Sequence, residues 1–472
     1  MKKKLLMLVL SCVMALSVVA VGVYALTTVN LGINGSISFI AYDKQVYIED
    51  ISLKNLVEET DKGYKVTDKT YEEFQNVYLK NSNSTLSLSG KVLQGETLEV
   101  DITLKNLKSN YLKSSLSYTS LPEGVLVRST GLVLPKNIGE SIDTADAKTL
   151  KVYISNYSDS IYSLDLSSIN LKIAFTEQES LIQTGTRLEG TDSDGDGVVE
   201  SYEITYHYVE MGTLPATTAV DGVYTEHNIK WRYISQNGTS SYTSETAPTT
   251  TSGYYIIESD VMSLTKNNNL LRDDSSWGGL LCMTYDKWGD GNYSLKNPNV
   301  YANDYAYSDI RQYMKGTNVY KGSNDSSQYS NIFKDFCIDV DNDLVYNKII
   351  RRTLTDLYTD FSQYPNGDAV DLSTYAPEQG YDMTQSDAFW LISYQEALTM
   401  LCGGTWNNAK ANWEVVEESS NDFWILRNPN PDLEGWGKGT RVCFINSIGE
   451  FSLMMDGFVI DSALCRPCFR LS

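Results

Sequence analysis

Leu98-Glu99-Val100-Asp101-Ile102-Thr103-Leu104 alternates strictly between apolar and polar residues. A period of two is the pitch of a pleated strand, so the leucines, valine and isoleucine take one face and Glu99, Asp101 and Thr103 the other. The reading expects the apolar face in a core and the polar face in water. The same pattern recurs at Val29-Asn30-Leu31-Gly32-Ile33, at Leu150-Lys151-Val152-Tyr153-Ile154 and at Ile169-Asn170-Leu171-Lys172-Ile173-Ala174-Phe175. Ile37 and Phe39 continue it. Gln94-Gly95 and Pro122-Glu123-Gly124 supply turns between such runs. Short alternating strands with tight turns predict an all-β antiparallel sandwich over residues 26–176.

The composition changes beyond it. All eight tryptophans lie after residue 230, and six of the seven cysteines after residue 280. Two regions with such different core chemistry read as separate domains. Thr176 to Gly190 is polar without a clear period, so residues 177–203 are expected to form a linker. Residues 204–472 carry strand patterns at 206–211, 230–235, 254–258, 422–426, 441–445 and 465–471. Helices are fewer. Ser308 can cap one that carries Ile310, Tyr313 and Met314, and Tyr346 to Phe361 suggests another. Ser393-Tyr394-Gln395-Glu396 has the spacing of a capping box. The expected fold is therefore multidomain, an N-terminal β-sandwich followed by an α+β domain.

The chain opens with Met1-Lys2-Lys3-Lys4 and an apolar run from Leu5 to Val23, with Val23-Tyr24-Ala25 offering small residues at a cleavage site. Residues 1–25 read as a secretory signal, or as an uncleaved anchor, since the run is long enough to span a bilayer. The expected location is extracellular, secreted or attached to the cell surface. The net charge is −22, with Lys+Arg 38 against Asp+Glu 60. So acidic a surface repels phosphate backbones and argues against nucleic acid as a partner. A membrane contact would come only through the N-terminal segment. Histidine is confined to His207 and His227, which leaves little for histidine-based catalysis. The six later cysteines permit up to three disulfides in an exported chain, or buried thiols. Cys465-Arg466-Pro467-Cys468 has redox spacing but lacks the strand-to-helix setting of redox motifs.

The most specific motif is Asp192-Ser193-Asp194-Gly195-Asp196-Gly197-Val198-Val199-Glu200-Ser201-Tyr202-Glu203. It matches a calcium loop: Asp192, Asp194 and Asp196 supply carboxylates, Gly197 the sharp turn, and Val198 a carbonyl. Glu200 acts at position 9 and Glu203 closes the site at position 12. The cofactor expected is structural calcium. The sequence after it, Ile204-Thr205-Tyr206-His207-Tyr208-Val209, reads as a strand, which departs from the helix of paired calcium sensors. Asp339, Asp341 and Asp343 form a second acidic cluster without the glycine or the closing acid, a poor metal loop.

Six segments occur in order: Glu210-Met211-Gly212-Thr213-Leu214-Pro215, Ile229 to Ser235, Ser308 to Met314, Phe389 to Ala397, Phe423 to Pro429, and Cys465-Arg466-Pro467. Together they resemble an uncharacterised domain family of exported proteins from gut Firmicutes, whose members carry a "WWLRSP" segment and end in "GVRPA". The resemblance covers about residues 202–472. It implies a fold similar to C-type-lectin-like and sulfatase-modifying-enzyme-like domains, and no active-site residues. This chain departs from it at Phe423, Asn428 and the two cysteines of the final segment.

Trp231, Trp390 and Trp424 sit in apolar runs and read as core. Trp288 and Trp436 sit in loop-like text, the latter after Asn430-Pro431-Asp432, a tripeptide that resembles sugar-binding triplets of C-type lectins. Trp288, Trp436 and Asp432 are the candidate ligand-binding residues. The expected role is recognition of a glycan or another host or cell-wall polymer. The alternatives are structural assembly in a surface layer, and a carboxylate-based glycosidase, which needs two carboxyls about 5–9 Å apart and no histidine.

Overall fold

A computed structural model describes residues 28–34, 37–40, 46–59, 63–67, 84–86, 90–139, 141–191, 200–238, 248–258, 285–287, 293–295, 305, 309–317, 319–320, 329–354, 386–400, 424–429, 442–445, 451–452 and 464–472. Strands dominate, arranged in several antiparallel sheets with few helices.

The expected alternation produces strands where it occurs. Glu96–Asn106 pairs antiparallel with Ala147–Asn156 on one side and with Val46–Glu59 on the other, and Val125–Ser129 and Gly63–Thr67 complete a five-stranded sheet. A second sheet is built around Asn170–Gln178, flanked by Tyr111–Tyr118 and Thr28–Asn34. The two sheets share one core. Leu98, Val100, Ile102, Leu104, Val152 and Ile154 from the first meet Leu112, Leu116, Leu171, Ile173 and Phe175 from the second. Gly124 turns with φ +76°, and a Cβ there would lie 2.4 Å from Ser158 Cα. Only glycine fits that turn.

A third sheet of six strands occupies the C-terminal half. Its order runs from Gln183–Thr191 through Glu200–Leu214, His227–Ser235, Gly253–Ile257 and Pro467–Leu471 to Trp390–Leu391. Trp231 lies under one face, with ring centroids 4.9 Å from Phe469, 5.5 Å from Phe389 and 6.4 Å from Phe336. Its indole Nε1 donates to the Met211 carbonyl at 2.9 Å, which satisfies the one polar atom of the ring. Trp390 is equally buried. The side chain of Trp424, which opens the strand Trp424–Pro429, lies outside the description.

Three expectations change. Residues 177–203 are not a plain linker: Gln183–Thr191 and the start of Glu200–Leu214 pair as the first hairpin of the third sheet. Gln183–Thr191 is the edge strand of that sheet, and its one large apolar residue, Leu188, leaves no alternation to announce it. Second, the boundary between the two halves is crossed. The hairpin of Ala219–Val220 and Val223–Thr225, turned by Asp221 and Gly222 at positive φ, leaves the third sheet and joins the second, where Tyr224 pairs with Tyr118. The rings of Tyr118 and Tyr224 stack at 5.5 Å. Third, the helix expected from Tyr346 shrinks to a single turn, Tyr346–Lys348. Ile349 then bridges Leu471 and Ile350 N–H donates to the Arg470 carbonyl, so the sheet captures the chain.

Ile102 is fully buried between the first two sheets, whereas Ile138 is 89% exposed. Ile102→Ala is expected to cost about 2–5 kcal/mol in urea denaturation, and Ile138→Ala less than about 0.5 kcal/mol.

Candidate functional site

The face of the first sheet that alternation assigns to water is largely covered. Glu99 and Asp101 are each 8% exposed. Register places Lys54, Glu99, Tyr153 and Arg128 in one row across the sheet, and Ser52, Asp101 and Lys151 in the next. Burying such a row requires partners for each polar group. Lys54 Nζ contacts Asp101 and lies 3.0 Å from Glu99 Oε1. Thr97 and Ser155 share a hydrogen bond of 2.7 Å, and Thr103 and Thr149 one of 3.2 Å.

The cover comes from the C-terminal half, through the stretch 332–343. Asn331 caps the helix Ile332–Asp335 by accepting from Lys334 N–H, and Cys337 ends it in the left-handed region at φ +50°. Arg128 reaches over from the sandwich. Its Nη1 donates to the Lys334 carbonyl at 3.1 Å, and its Nη2 to the carbonyls of Asp335 at 2.7 Å and Thr213 at 2.9 Å. Two of these carbonyls belong to the last turn of the helix and the third to the strand Glu200–Leu214, so one guanidinium ties both to the sandwich. Thr149 N–H donates to Asn342 Oδ1 at 3.1 Å, and Lys151 Nζ lies 3.5 Å from Asp339.

Glu226 completes the seam. Its own N–H donates to the Leu116 carbonyl, and its carboxyl meets Ser129 twice, Oε1 with the N–H and Oε2 with the hydroxyl, each at 2.6 Å. Thr213 Oγ1 donates to the Ser129 carbonyl. Every polar group of Ser129 is thus bound by residues beyond 200. Burial dominates the electrostatics: it pushes Glu226 up to about 8, Cys337 to about 11 and Asp343 to about 7, and raises Glu99 and Tyr153. Shifted groups collected in one place mark a candidate functional site.

The second acidic cluster belongs to this seam. Asp343 Oδ1 accepts from Val345 and Tyr346 N–H, while Asp339 accepts from Asp341 N–H and the Asn342 amide. The carboxylates shape a turn. Among the described residues no group of three or more His, Cys, Asp or Glu side chains converges as a metal site. Of the calcium motif, Asp192, Asp194, Asp196 and Val198 lie outside the described residues. Glu200 and Glu203 stand on the strand Glu200–Leu214, opposite Thr191 and Leu188, so the two strands flank the acidic stretch as a hairpin. Trp288, Asp432 and Trp436 also lie outside the described residues, as do residues 1–25.

Four of the six segments that carry the family resemblance place a buried arginine in the C-terminal half. Arg232 binds Glu258 through two nitrogens, at 3.0 and 2.6 Å. Arg311 binds Asp387 at 2.8 and 3.1 Å. Arg427 contacts Glu396 and donates to the Leu391 carbonyl. Arg466 donates twice to the Ile257 carbonyl. Glu396 also closes the expected capping box on the helix Tyr394–Met400: Ser393 N–H donates to its carboxylate at 2.9 Å, and its own N–H donates to Ser393 Oγ at 3.0 Å. Cys468 sits beside them as a buried thiol, a core position.

Sequence reasoning missed Arg128, Ser129, Glu226 and Cys337. Arg128 stands at an outward position of an alternating strand, and nothing in the local pattern announces that the outward face is covered. No family model, curated protein or solved structure matches the chain.

The tryptophans report selectively on the C-terminal half, so their fluorescence can read the seam. Arg128→Ala removes three charge-assisted hydrogen bonds across the seam and should destabilise the tryptophan-reported transition by roughly 2–5 kcal/mol. Arg128→Lys should recover only part of this, because one ammonium cannot fork across three carbonyls. Equal urea midpoints for all three proteins would remove the clamp from the account.

Proposed function

We propose that the chain is an exported or cell-surface bacterial protein whose C-terminal half recognises a glycan or another surface polymer, without catalysis, and whose sandwich serves as its mount. The observation that carries this reading is the seam. A sheet face that could have stayed in water is committed to holding the C-terminal half, in the manner of a pedestal. The buried arginines of the C-terminal half are spent on carboxylates and carbonyls within the frame. In sequence, Trp277, Trp288, Trp406, Trp413 and Trp436 fall between frame elements, and aromatic rings there suit stacking on the apolar faces of sugars. A C-type-lectin-like frame would serve this purpose and accords with the resemblance of residues 202–472.

Calcium enters the same proposal. Asp192, Asp194, Asp196, Val198, Glu200 and Glu203 would supply its oxygens, and the flanking paired strands would hold the two ends of the motif together. The role is structural, a stiffening of the first hairpin of the third sheet.

Assembly into a surface layer is the second reading. It draws on the edge of the second sheet, where Ala219–Val220 is exposed, with Val220 at 74%. Exposed edges pair with other chains.

The test is a glycan array with the full chain lacking residues 1–25, in calcium and in chelator. Binding to a defined sugar set is expected. Calcium dependence that Asp192→Asn with Asp196→Asn abolishes would place the metal in recognition. No binding in either condition, with concentration-dependent oligomers in sedimentation, would replace recognition by assembly.

A further inference from the structure

The seam is fastened by a buried carboxyl, Glu226, with which, among the described residues, no lysine or arginine forms an ion pair. The cation nearest to hand, Arg128, directs its terminal nitrogens to three backbone carbonyls instead. The groups that face Glu226 come from three elements: Arg128 and Ser129 on the strand Val125–Ser129, Tyr118 on Tyr111–Tyr118, and Cys337 on the turn after the helix Ile332–Asp335. A carboxyl with one oxygen against an N–H and the other against a hydroxyl is fully bonded when neutral: one oxygen accepts, and its O–H serves the hydroxyl oxygen. In the ionised form the two Ser129 bonds and the nearby Arg128 charge favour it, but it is a buried charge with no ion pair, and burial outweighs them. Asp343, also buried, sits in the docking turn with Asp339, Tyr346 and, from the strand Ala147–Asn156, Lys148 around it.

We propose that the seam is a proton-operated latch, closed while Glu226 is protonated and loosened when it ionises, with Asp343 acting in the same direction from the docking turn. The hairpin 219–225 remains paired with the second sheet in both states, so the two halves stay tethered while the seam between Arg128, Ser129 and 332–343 relaxes.

The sign follows from linkage. Burial lifts Glu226 from an ordinary 4.5 to about 8, so the folded seam keeps a proton that the opened form releases. Its contribution is therefore complete below about pH 4.5, declines as pH rises, and is gone above about pH 8. Asp343 declines from 3.8 to about 7 in the same sense. Stability should fall, not rise, across the neutral range.

Cys337 is the reporter, because its thiol is buried in the seam, and Cys468, buried in the third sheet, is the internal control. The full chain and its Glu226→Gln variant are alkylated with iodoacetamide at pH 5.5, 7 and 9, and each cysteine is quantified by peptide mass spectrometry. Comparing variants at one pH removes the intrinsic pH dependence of the thiol. At pH 9 Cys337 is expected to react well over tenfold faster in the wild type than in Glu226→Gln, since opening rises about tenfold for each unit of pH between the pKa of the opened form and that of the closed seam and levels off above it. At pH 5.5 the difference should shrink to about tenfold or less, and Cys468 should not differ at either pH. Thermal melting gives a second readout: the wild type should lose about 5 °C or more between pH 5.5 and 9, and Glu226→Gln should lose less. Asp343→Asn is the fallback variant if Glu226→Gln does not fold. Equal Cys337 rates at pH 9, or equal melting loss in wild type and variant, overturns the latch.

Discussion

A charged sheet face that leaves water must find every partner inside the protein. Much else in this chain follows from that one requirement. Glu99 and Asp101 are buried, so Lys54 folds across them. Arg128 donates to carbonyls at the end of a short helix, so that helix must sit over the sandwich. Thr149 and Lys151 fix the turn beyond it. The hydrophobic core would hold the two sheets of the sandwich together without any of this. The polar seam has a different effect: hydrogen bonds are directional, and each one fixes where the C-terminal half sits. Apolar contact alone would permit sliding.

The pattern of residues made the sandwich legible. Leu98 to Leu104, Leu150 to Ile154 and Ile169 to Phe175 each form the strand that their alternation implies, because apolar burial decides local structure when it repeats at the pitch of the pleat. The capping box at Ser393 was legible for a similar reason, since both of its bonds lie within four residues. The seam was not. Its members are separated by tens to hundreds of residues, and an arginine at an outward strand position looks the same whether water or a helix end covers it. The hairpin 219–225 was hidden likewise: its sequence marks a turn but not the sheet it will join. The calcium motif and the candidate tryptophans remain readings of sequence.

The segments that resemble an exported domain family gain a physical meaning. Four of them contribute arginines that are buried and bound to acids or carbonyls in the C-terminal half. A guanidinium can satisfy several acceptors in one plane, which suits the crossing points of a small sheet with few helices. Such strings mark how the frame is tied.

The hairpin that returns to the sandwich has a consequence for the order of events during folding. A chain emerging from its N-terminus first presents residues 28–178 long before residue 225. The second sheet must therefore wait, with the strand Tyr111–Tyr118 short of one neighbour, until two strands of the third sheet have passed. The halves cannot mature one after the other. A fragment cut at residue 176 or 203 would expose the backbone of that strand, along with the polar face that the seam covers, and would invite pairing with whatever chain lies nearby. Residue 225, rather than the change in composition near 200, is the earliest point at which the sandwich can be whole.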